Sequence, residues 1–175
     1  THEQVNTLAP GQPFAARDLT QQISLQTIAK VVLGFTDGPK SQTMLNILTE
    51  TADGFGSPAS AMLLFFNALQ KDLGAWSPWG RFLQLKRQLD ELLYAEIDTR
   101  LQHPDPSRTD ILSMLMASRT EAGEALTKQE LRDELIALLL AGHETTATAI
   151  AWSLYWIHRD TGVKEKLLAE LDALS

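Results

Sequence analysis

Residues 138–148 read Leu-Leu-Leu-Ala-Gly-His-Glu-Thr-Thr-Ala-Thr, which is a poor interior for a helix. Gly142 costs about 1 kcal/mol relative to alanine at a helical position. Thr145, Thr146 and Thr148 are β-branched, and their hydroxyls compete for backbone carbonyls and bend helices. A stretch of poor helix propensity inside an otherwise strong helix indicates a functional site.

Strong helix signals flank this stretch on both sides. Thr127-Lys128-Gln129-Glu130 is a capping box, and no proline follows it before about Asp160. The run is roughly 30 residues, or about 45 Å of helix. We therefore predict one long helix from about Lys128 to about His158, distorted near Ala141–Thr145.

Helical patterns fill the rest of the chain as well. The apolar spacing and the breaks at glycine and proline predict further helices at Leu19–Phe35, Ser41–Ala52, Ala59–Leu73, Arg81–Leu101, Asp110–Ser118 and Val163–Leu174. No segment alternates as a strand does between hairpin turns. The predicted fold class is all-α.

Composition excludes several kinds of function. The chain has 175 residues, a formal net charge of −7 and no cysteine. The acidic balance argues against nucleic acid as a partner, and disulfides, zinc–thiolate sites and cysteine nucleophiles are excluded. No targeting segment and no apolar run of about 20 residues is visible, so we expect a cytoplasmic protein without a transmembrane segment. Because the sequence opens without Met and stops inside a helical pattern, we expect it to be cut at both ends.

The spacing within the decisive stretch points to a ligand. Residues four apart share a helix face, so Ala137, Ala141 and Thr145 form a nearly bare stripe that ends in a hydroxyl. Small residues let a large flat ligand approach the backbone closely. Glu144 lies next to that hydroxyl. Since the apolar run Leu135–Leu140 predicts burial, this acid must be paired or solvated.

The pair His143-Glu144 also matches the beginning of a zinc-protease motif. That motif requires a second histidine four residues after the first, and position 147 is alanine. His158 lies too far along the same helix to share a metal with His143. The sequence therefore predicts no metal ligand, and it predicts a packed or hydrogen-bonded His143.

The segment Ala141-Gly142-His143-Glu144-Thr145-Thr146 resembles the small-Gly-x-acid-Thr-Thr motif in the long central helix of cytochromes P450. Asp110–Leu115 resembles the short helix before that motif, and Trp152–Ile157 with Val163–Leu171 resembles the exit from it. The resemblance covers nearly the whole chain and is nearest to soluble bacterial members, cyanobacterial ones among them. It implies that residues 1–175 are the incomplete central part of one mainly helical cytochrome P450 domain.

The resemblance also implies roles for individual residues. Ala141 and Gly142 would bind the cofactor by lying against the porphyrin of a haem. Thr145 would donate a hydrogen bond to the oxygen being activated, and Glu144 would help to bring in protons. Ala137 and Leu140 would face the substrate. The family holds the iron through a cysteine and carries a Glu-x-x-Arg pair, and this sequence contains neither.

The implied activity is that of a haem-thiolate monooxygenase. The whole enzyme would insert one oxygen atom from dioxygen into a small apolar organic substrate, with electrons from a ferredoxin- or flavoprotein-type redox partner. We expect the 175-residue chain alone to be inactive, because it lacks the thiolate. The alternative is a helical domain without catalysis that acts through packing or interaction with other helices.

Overall fold

The computed structural model describes residues 5–6, 8–35, 38–55, 66 and 70–174. Within that part of the chain six helices follow one another: α1 Ala16–Leu33, α2 Pro39–Phe55, α3 Pro78–Gln102, α4 Ile111–Ala117, α5 Lys128–Arg159 and α6 Thr161–Asp172. No strand occurs among these residues, where Leu73 and Ala75 form one isolated bridge. The prediction of an all-α segment is confirmed.

Two helix starts lie where the sequence signals placed them. The Asp110 carboxylate accepts a hydrogen bond from the Ser113 amide at 2.9 Å and caps α4. At the start of α5 the capping box is complete. The Thr127 amide donates to Glu130 Oε2 at 2.7 Å, and the Glu130 amide donates to Thr127 Oγ1 at 3.2 Å. These bonds satisfy amides that a helix start leaves without intrahelical partners.

Gly34 ends α1 because its backbone is left-handed, with φ +62°. Its amide bonds the Lys30 carbonyl at 2.8 Å, as in a glycine cap. A β-carbon at this position would lie 2.4 Å from Asp110 Oδ2. Both the conformation and the space therefore require glycine.

Other boundaries differ from the predictions. Helix α3 begins at Pro78 rather than Arg81, because Ser77 caps it and proline fits the first helical turn. Helix α6 begins at Thr161, with Asp160 as its cap. The predicted helix Ala59–Leu73 lies mostly outside the described residues, and Gln70–Leu73 is not helical. Helix α5 is one uninterrupted α-helix from Lys128 to Arg159, which confirms the predicted long helix, and the distortion at the motif stays a prediction.

The described residues divide into two compact units, and both α1 and α5 belong partly to each. The larger unit, Leu25–Gly142, has an apolar core supplied by five of the helices. The fully buried members of this core are Val32, Leu33, Met44, Leu48, Leu93, Ile97, Leu112, Leu135 and Leu139. Burying a leucine or isoleucine side chain contributes about 1.5–3 kcal/mol, so this cluster is the main source of the unit's stability.

A buried ion network joins three segments of the larger unit, and we call it the Arg100 network. The Arg100 guanidinium donates to Glu96 at 2.9 Å, to the Asp110 carboxylate and to the Leu33 carbonyl. Arg108 donates to the other Asp110 oxygen at 3.0 Å. Arg100, Glu96 and Asp110 are all buried. The network thereby ties the end of α1 and the start of α4 to α3.

The smaller unit comprises Thr1–Ser24 and His143–Ser175, so far as the structure describes them. Helix α6 contains no buried residue, so its charged side chains are exposed. Trp152, Tyr155 and Trp156 on α5 are about half-exposed, and Arg159 lies over the rings of Tyr155 and Trp156. Among the described helices, α5 alone is long and apolar enough to cross a membrane, a test that the central helix of a soluble protein also passes.

Candidate functional site

The first half of the motif, up to Gly142, lies in the larger unit. Leu131, Leu135 and Leu139 form the buried face of α5 there. The neighbouring face is different: Ala137 and Ala141 are exposed, and Leu140 is partly buried. The sequence predicted burial around nearly the whole helix, and this is wrong for Ala137. One face packs into the leucine core, while the small side chains of the other remain accessible.

Gly142 has a packing reason that sequence reasoning missed. A β-carbon built on this residue would lie 2.9 Å from Cδ1 and 3.4 Å from Cγ1 of Ile28 on α1. Contacts below about 3 Å force a neighbour to shift. The glycine therefore allows α1 and α5 to approach closely at this level. Contact between Gly142 and a ligand stays a prediction.

The second half of the motif, from His143, lies in the smaller unit. His143 and Ala147 are buried, as expected for a packed histidine. Thr145 and Thr146 are exposed, and Glu144 is partly buried. Within the described residues no three histidine, cysteine, aspartate or glutamate side chains converge as a metal site would require. What this half offers to a ligand is a hydroxyl beside a carboxylate.

Glu144 is paired by two residues of α1, and we call this arrangement the Glu144 pair. The Arg17 guanidinium donates to Oε1, and the Gln21 amide donates to Oε2 at 3.0 Å. These side chains are not deeply buried, since 59% of Arg17 and 45% of Glu144 is exposed. The Gln21 bond, followed by the bond and charge of Arg17, lowers the pKa of Glu144 against a desolvation that raises it. The expectation of a paired or solvated acid is confirmed on both counts.

Two buried hydroxyls on α1 accompany this pair. Ser24 Oγ donates to the His143 carbonyl at 2.9 Å, and Thr20 Oγ1 donates to the Arg17 carbonyl at 3.0 Å. Ser24 and Thr20 are each almost wholly inaccessible to solvent. Because residues three and four apart share a helix face, one polar face of α1 supplies the bonds named here to the His143 carbonyl and to the Glu144 carboxylate.

Sequence reasoning did not find Arg17 or Gln21. They are 127 and 123 residues from Glu144 along the chain, and no local pattern connects them to it. One signal was available in retrospect. Arg17, Gln21 and Ser24 recur at spacings of four and three residues and so place polar side chains on one face of α1. Such a face indicates a helix with polar partners, although not which ones.

Known proteins match this chain along most of its length. The family model described as cytochrome P450 matches residues 2–174. Cytochrome P450 135B1 of Mycobacterium tuberculosis is 34% identical over 161 residues, which cover 91% of this chain and 33% of the relative. Cytochrome P450 135A1 of the same organism is 36% identical over 154 residues, which cover 87% of this chain and 33% of the relative. The chain thus spans about a third of the length of these relatives.

Solved structures agree in fold. Retinoic acid-bound cyanobacterial CYP120A1 superposes with a TM-score of 0.74 at 20% identity, covering 98% of this chain and 36% of that chain. A mutant of the mixed-function P450 MycG in complex with mycinamicin IV gives 0.69 at 23% identity, covering 98% and 37%. At these identities the likeness concerns the fold alone.

Proposed function

Because the chain belongs to the cytochrome P450 family, we propose that it supplies the oxygen-activating helix of a haem-thiolate monooxygenase. The observation that carries the proposal is the juxtaposition on α5 of an exposed hydroxyl, Thr145, with a carboxylate, Glu144, that is both paired and solvated. Reduction of dioxygen needs protons, and a hydroxyl next to such a carboxylate suits their delivery. Residues 1–175 would be the central part of one catalytic domain.

Cytochromes P450 bind haem, and the residues present fit that group in part. Ala137 and Ala141 are small and exposed on α5, as a flat ligand lying along the helix requires. Gly142 fits less directly, because a β-carbon at this residue would face Ile28 and not a ligand on the exposed face. The sequence contains no cysteine to act as the thiolate ligand. We propose that Ala141 lines the haem face, with the backbone of Gly142 beside it.

When bound, haem supplies the redox chemistry that activates oxygen. The residues of this chain line the site and transfer protons within it. Glu144 takes a proton from solvent through its exposed fraction and passes it towards the Thr145 hydroxyl. Thr145 donates its own proton into the site and is reprotonated from Glu144.

Substrate and partners follow from the family and not from this segment alone. We propose a small apolar organic substrate near Ala137 and Leu140, and a ferredoxin- or flavoprotein-type electron donor. A cytoplasmic location belongs to the same proposal, since the relatives named above are bacterial. The segment spans only about a third of them, so the activity is that of a longer enzyme.

A non-catalytic interaction domain is the second candidate. The observation in its favour is the half-exposed aromatic group Trp152, Tyr155 and Trp156, next to a helix α6 with no buried residue. Exposed apolar patches mark surfaces that other structure covers. The two candidates differ in what Thr145 does: an interaction domain gives its hydroxyl no role in oxygen chemistry.

The test is Thr145→Ala in the full-length, haem-loaded enzyme that contains this segment. We expect haem to remain bound while product formed per NAD(P)H consumed falls by about 10-fold or more, because proton delivery of this kind contributes about 10²–10⁴ in rate. Thr99→Ala is the matched control, since that hydroxyl only bonds the Ala95 carbonyl of its own helix at 2.7 Å. Unchanged coupling in Thr145→Ala would overturn the proposal.

A further inference from the structure

Helix α6 carries an apolar row along one face, and we call it the α6 stripe. Residues three or four apart lie on the same face of a helix, and the members of this row follow that spacing. Each of them is at least 36% exposed. The members are Val163, Leu167, Leu171 and, just after the helix ends, Leu174. A continuous exposed apolar row marks a surface that other structure covers.

The charged side chains of α6 are separated by sign along the helix. Lys164 and Lys166 lie in its first half, and Glu170 and Asp172 lie in its second half. Its first turn contains no acid and its last turn contains no base. The helix dipole favours acids near the start and bases near the end. The stability of α6 by itself therefore does not explain this distribution.

The same four charges are placed symmetrically about Leu168. Lys164 and Asp172 are each four residues from Leu168, and Lys166 and Glu170 are each two residues from it. At about 100° per residue, Lys164 and Asp172 lie on one side of the α6 stripe. Lys166 and Glu170 lie on its other side. Each side of the stripe therefore has one base and one acid at equal distances from the same point.

This symmetry makes α6 complementary to itself in reverse. A two-fold axis between two antiparallel copies of α6 brings the same side of each helix together. With the axis at Leu168, Lys164 of one copy lies opposite Asp172 of the other, and Lys166 lies opposite Glu170. Parallel packing would instead place each charge opposite its own kind. Antiparallel packing thus surrounds the apolar contact with four attractive pairs.

We propose that the α6 stripe is a self-association surface whose partner is a second copy of this chain, packed antiparallel through α6. The inference goes beyond the proposed function and does not rest on it. Helix α6 has 12 residues and is about 18 Å long. Such an interface is below the about 1,200 Å² of a standard stable interface, so the association is weak and depends on concentration.

Another segment of the longer enzyme is the competing occupant, because this chain spans about a third of its relatives. An unrelated segment requires an apolar face but imposes no symmetry on the charges of α6. A second copy does impose it, since each side of α6 must then complement itself. Both sides meet this condition. Glu165, the remaining charged residue of α6, lies about 160° around the helix from Leu167 and so faces away from the stripe.

Sedimentation velocity of the full-length enzyme that contains this segment, over a range of concentrations, tests the inference. We expect a reversible monomer–dimer equilibrium that weakens as salt is added, because salt screens exposed charges. Leu167→Gln combined with Leu171→Gln should abolish the dimer, since it removes the apolar centre and keeps good helix formers. An enzyme that stays monomeric at every concentration would show that another segment covers the stripe, and the inference would be overturned.

Charge reversal tests the pairing itself. Lys164→Glu combined with Lys166→Glu places like charges at all four contacts, so the dissociation constant should rise at least about tenfold. The control is Lys30→Glu combined with Lys71→Glu, which makes the same change in net charge at exposed lysines outside α6. In a parallel dimer the α6 reversal would replace one like pair by another. An unchanged dissociation constant, or an equal rise in the control, therefore refutes the antiparallel pairing.

Mixing separates lost complementarity from a damaged helix. Glu170→Lys combined with Asp172→Lys should also fail to self-associate. Together with the variant reversed at Lys164 and Lys166 it should form a heterodimer, because every contact is then complementary. If the mixture stays monomeric, charge pairing does not guide the association and the inference fails. None of these measurements uses turnover, so failure of the proposed function, seen in Thr145→Ala, is a separate outcome.

Discussion

The Arg100 network and the Glu144 pair use the same chemistry in opposite surroundings. Each joins an arginine to a carboxylate outside its own helix: Arg100 of α3 to Asp110, the cap of α4, and Arg17 of α1 to Glu144 of α5. In the Arg100 network the side chains of Arg100 and Asp110 are only 6% and 5% exposed, whereas Arg17 and Glu144 are 59% and 45% exposed. Breaking a buried pair leaves an uncompensated charge in the interior, while an exposed pair regains water. The first arrangement therefore supports the fold, whereas the second contributes little to stability.

The largest expected effect is at Arg100. We expect Arg100→Met to lower the free energy of unfolding by about 3–5 kcal/mol, because Glu96 and Asp110 stay buried without this guanidinium. Denaturant titration followed by circular dichroism measures it. Arg87→Met, which removes an exposed arginine from the same helix, should change stability by less than about 0.5 kcal/mol. An equal loss of unfolding free energy in Arg100→Met and Arg87→Met would show that burial of the arginine does not determine the cost of removing it.

The next effect concerns pH. Burial raises the pKa of Asp110, but hydrogen bonds from the Ser113 amide, Arg100 and Arg108 outweigh it and lower the pKa from 3.8 to about 2. A depressed folded pKa gives stability that is present above pH 4 and lost as the pH falls towards 2. The shift corresponds to about 2 kcal/mol.

Unfolding measured between pH 7 and pH 2 checks this. Asp110→Asn should be less stable at pH 7 and should lose less on acidification than the parent. Glu144→Gln, which alters the exposed pair, should follow nearly the same slope as the parent. A steep acid slope that survives in Asp110→Asn would assign the acid sensitivity to other carboxylates.

Gly142 offers a test of packing against ligand contact. Gly142→Ala should cost about 1 kcal/mol, since overpacking at Ile28 exceeds the gain in helix propensity. Ile28→Val removes the Cδ1 atom that would clash, so the double variant should recover most of that loss. Gly162→Ala is the control, because its β-carbon meets only Asp160 Oδ1 at 3.4 Å. Additive costs in the double variant would mean that Ile28 is not why residue 142 is glycine.

The smallest effect is expected at Arg17. Arg17→Met should change the free energy of unfolding by less than about 0.5 kcal/mol, and that change should shrink further at high ionic strength. Equilibrium denaturation in low and high salt measures it. A loss as large as that of Arg100→Met would show that the Glu144 pair also holds the fold together.

What the sequence could predict was local. The cap at Asp110 and the capping box at Thr127 involve residues three apart, so their type and spacing suffice to place a helix start. The start of α3 at Pro78 was missed and Arg81 was predicted instead, because proline both interrupts a helix and opens one. The long helix and its motif were readable for the same reason: they lie within one continuous stretch.

What the sequence could not predict depended on pairing between distant segments. Glu144 could be expected to need a partner, but no residue close to it in the sequence identifies Arg17 or Gln21 as that partner. Gly142 suggested close approach, but only the position of Ile28 shows from which side. The burial of Arg100 could not be predicted from its place on an amphipathic helix, because it depends on Leu33 and Asp110, which bond to it from other segments.

Helix α6 carries a consequence for local opening. It is 12 residues long, has no buried residue, and starts at an Asp160 carboxylate that accepts from the Val163 amide at 3.1 Å. A helix of this length is marginal in water without packing. The amide hydrogens of α6 should exchange with deuterium through local opening of this helix alone, and far sooner than those of α3. Proteases should cleave the chain first in α6.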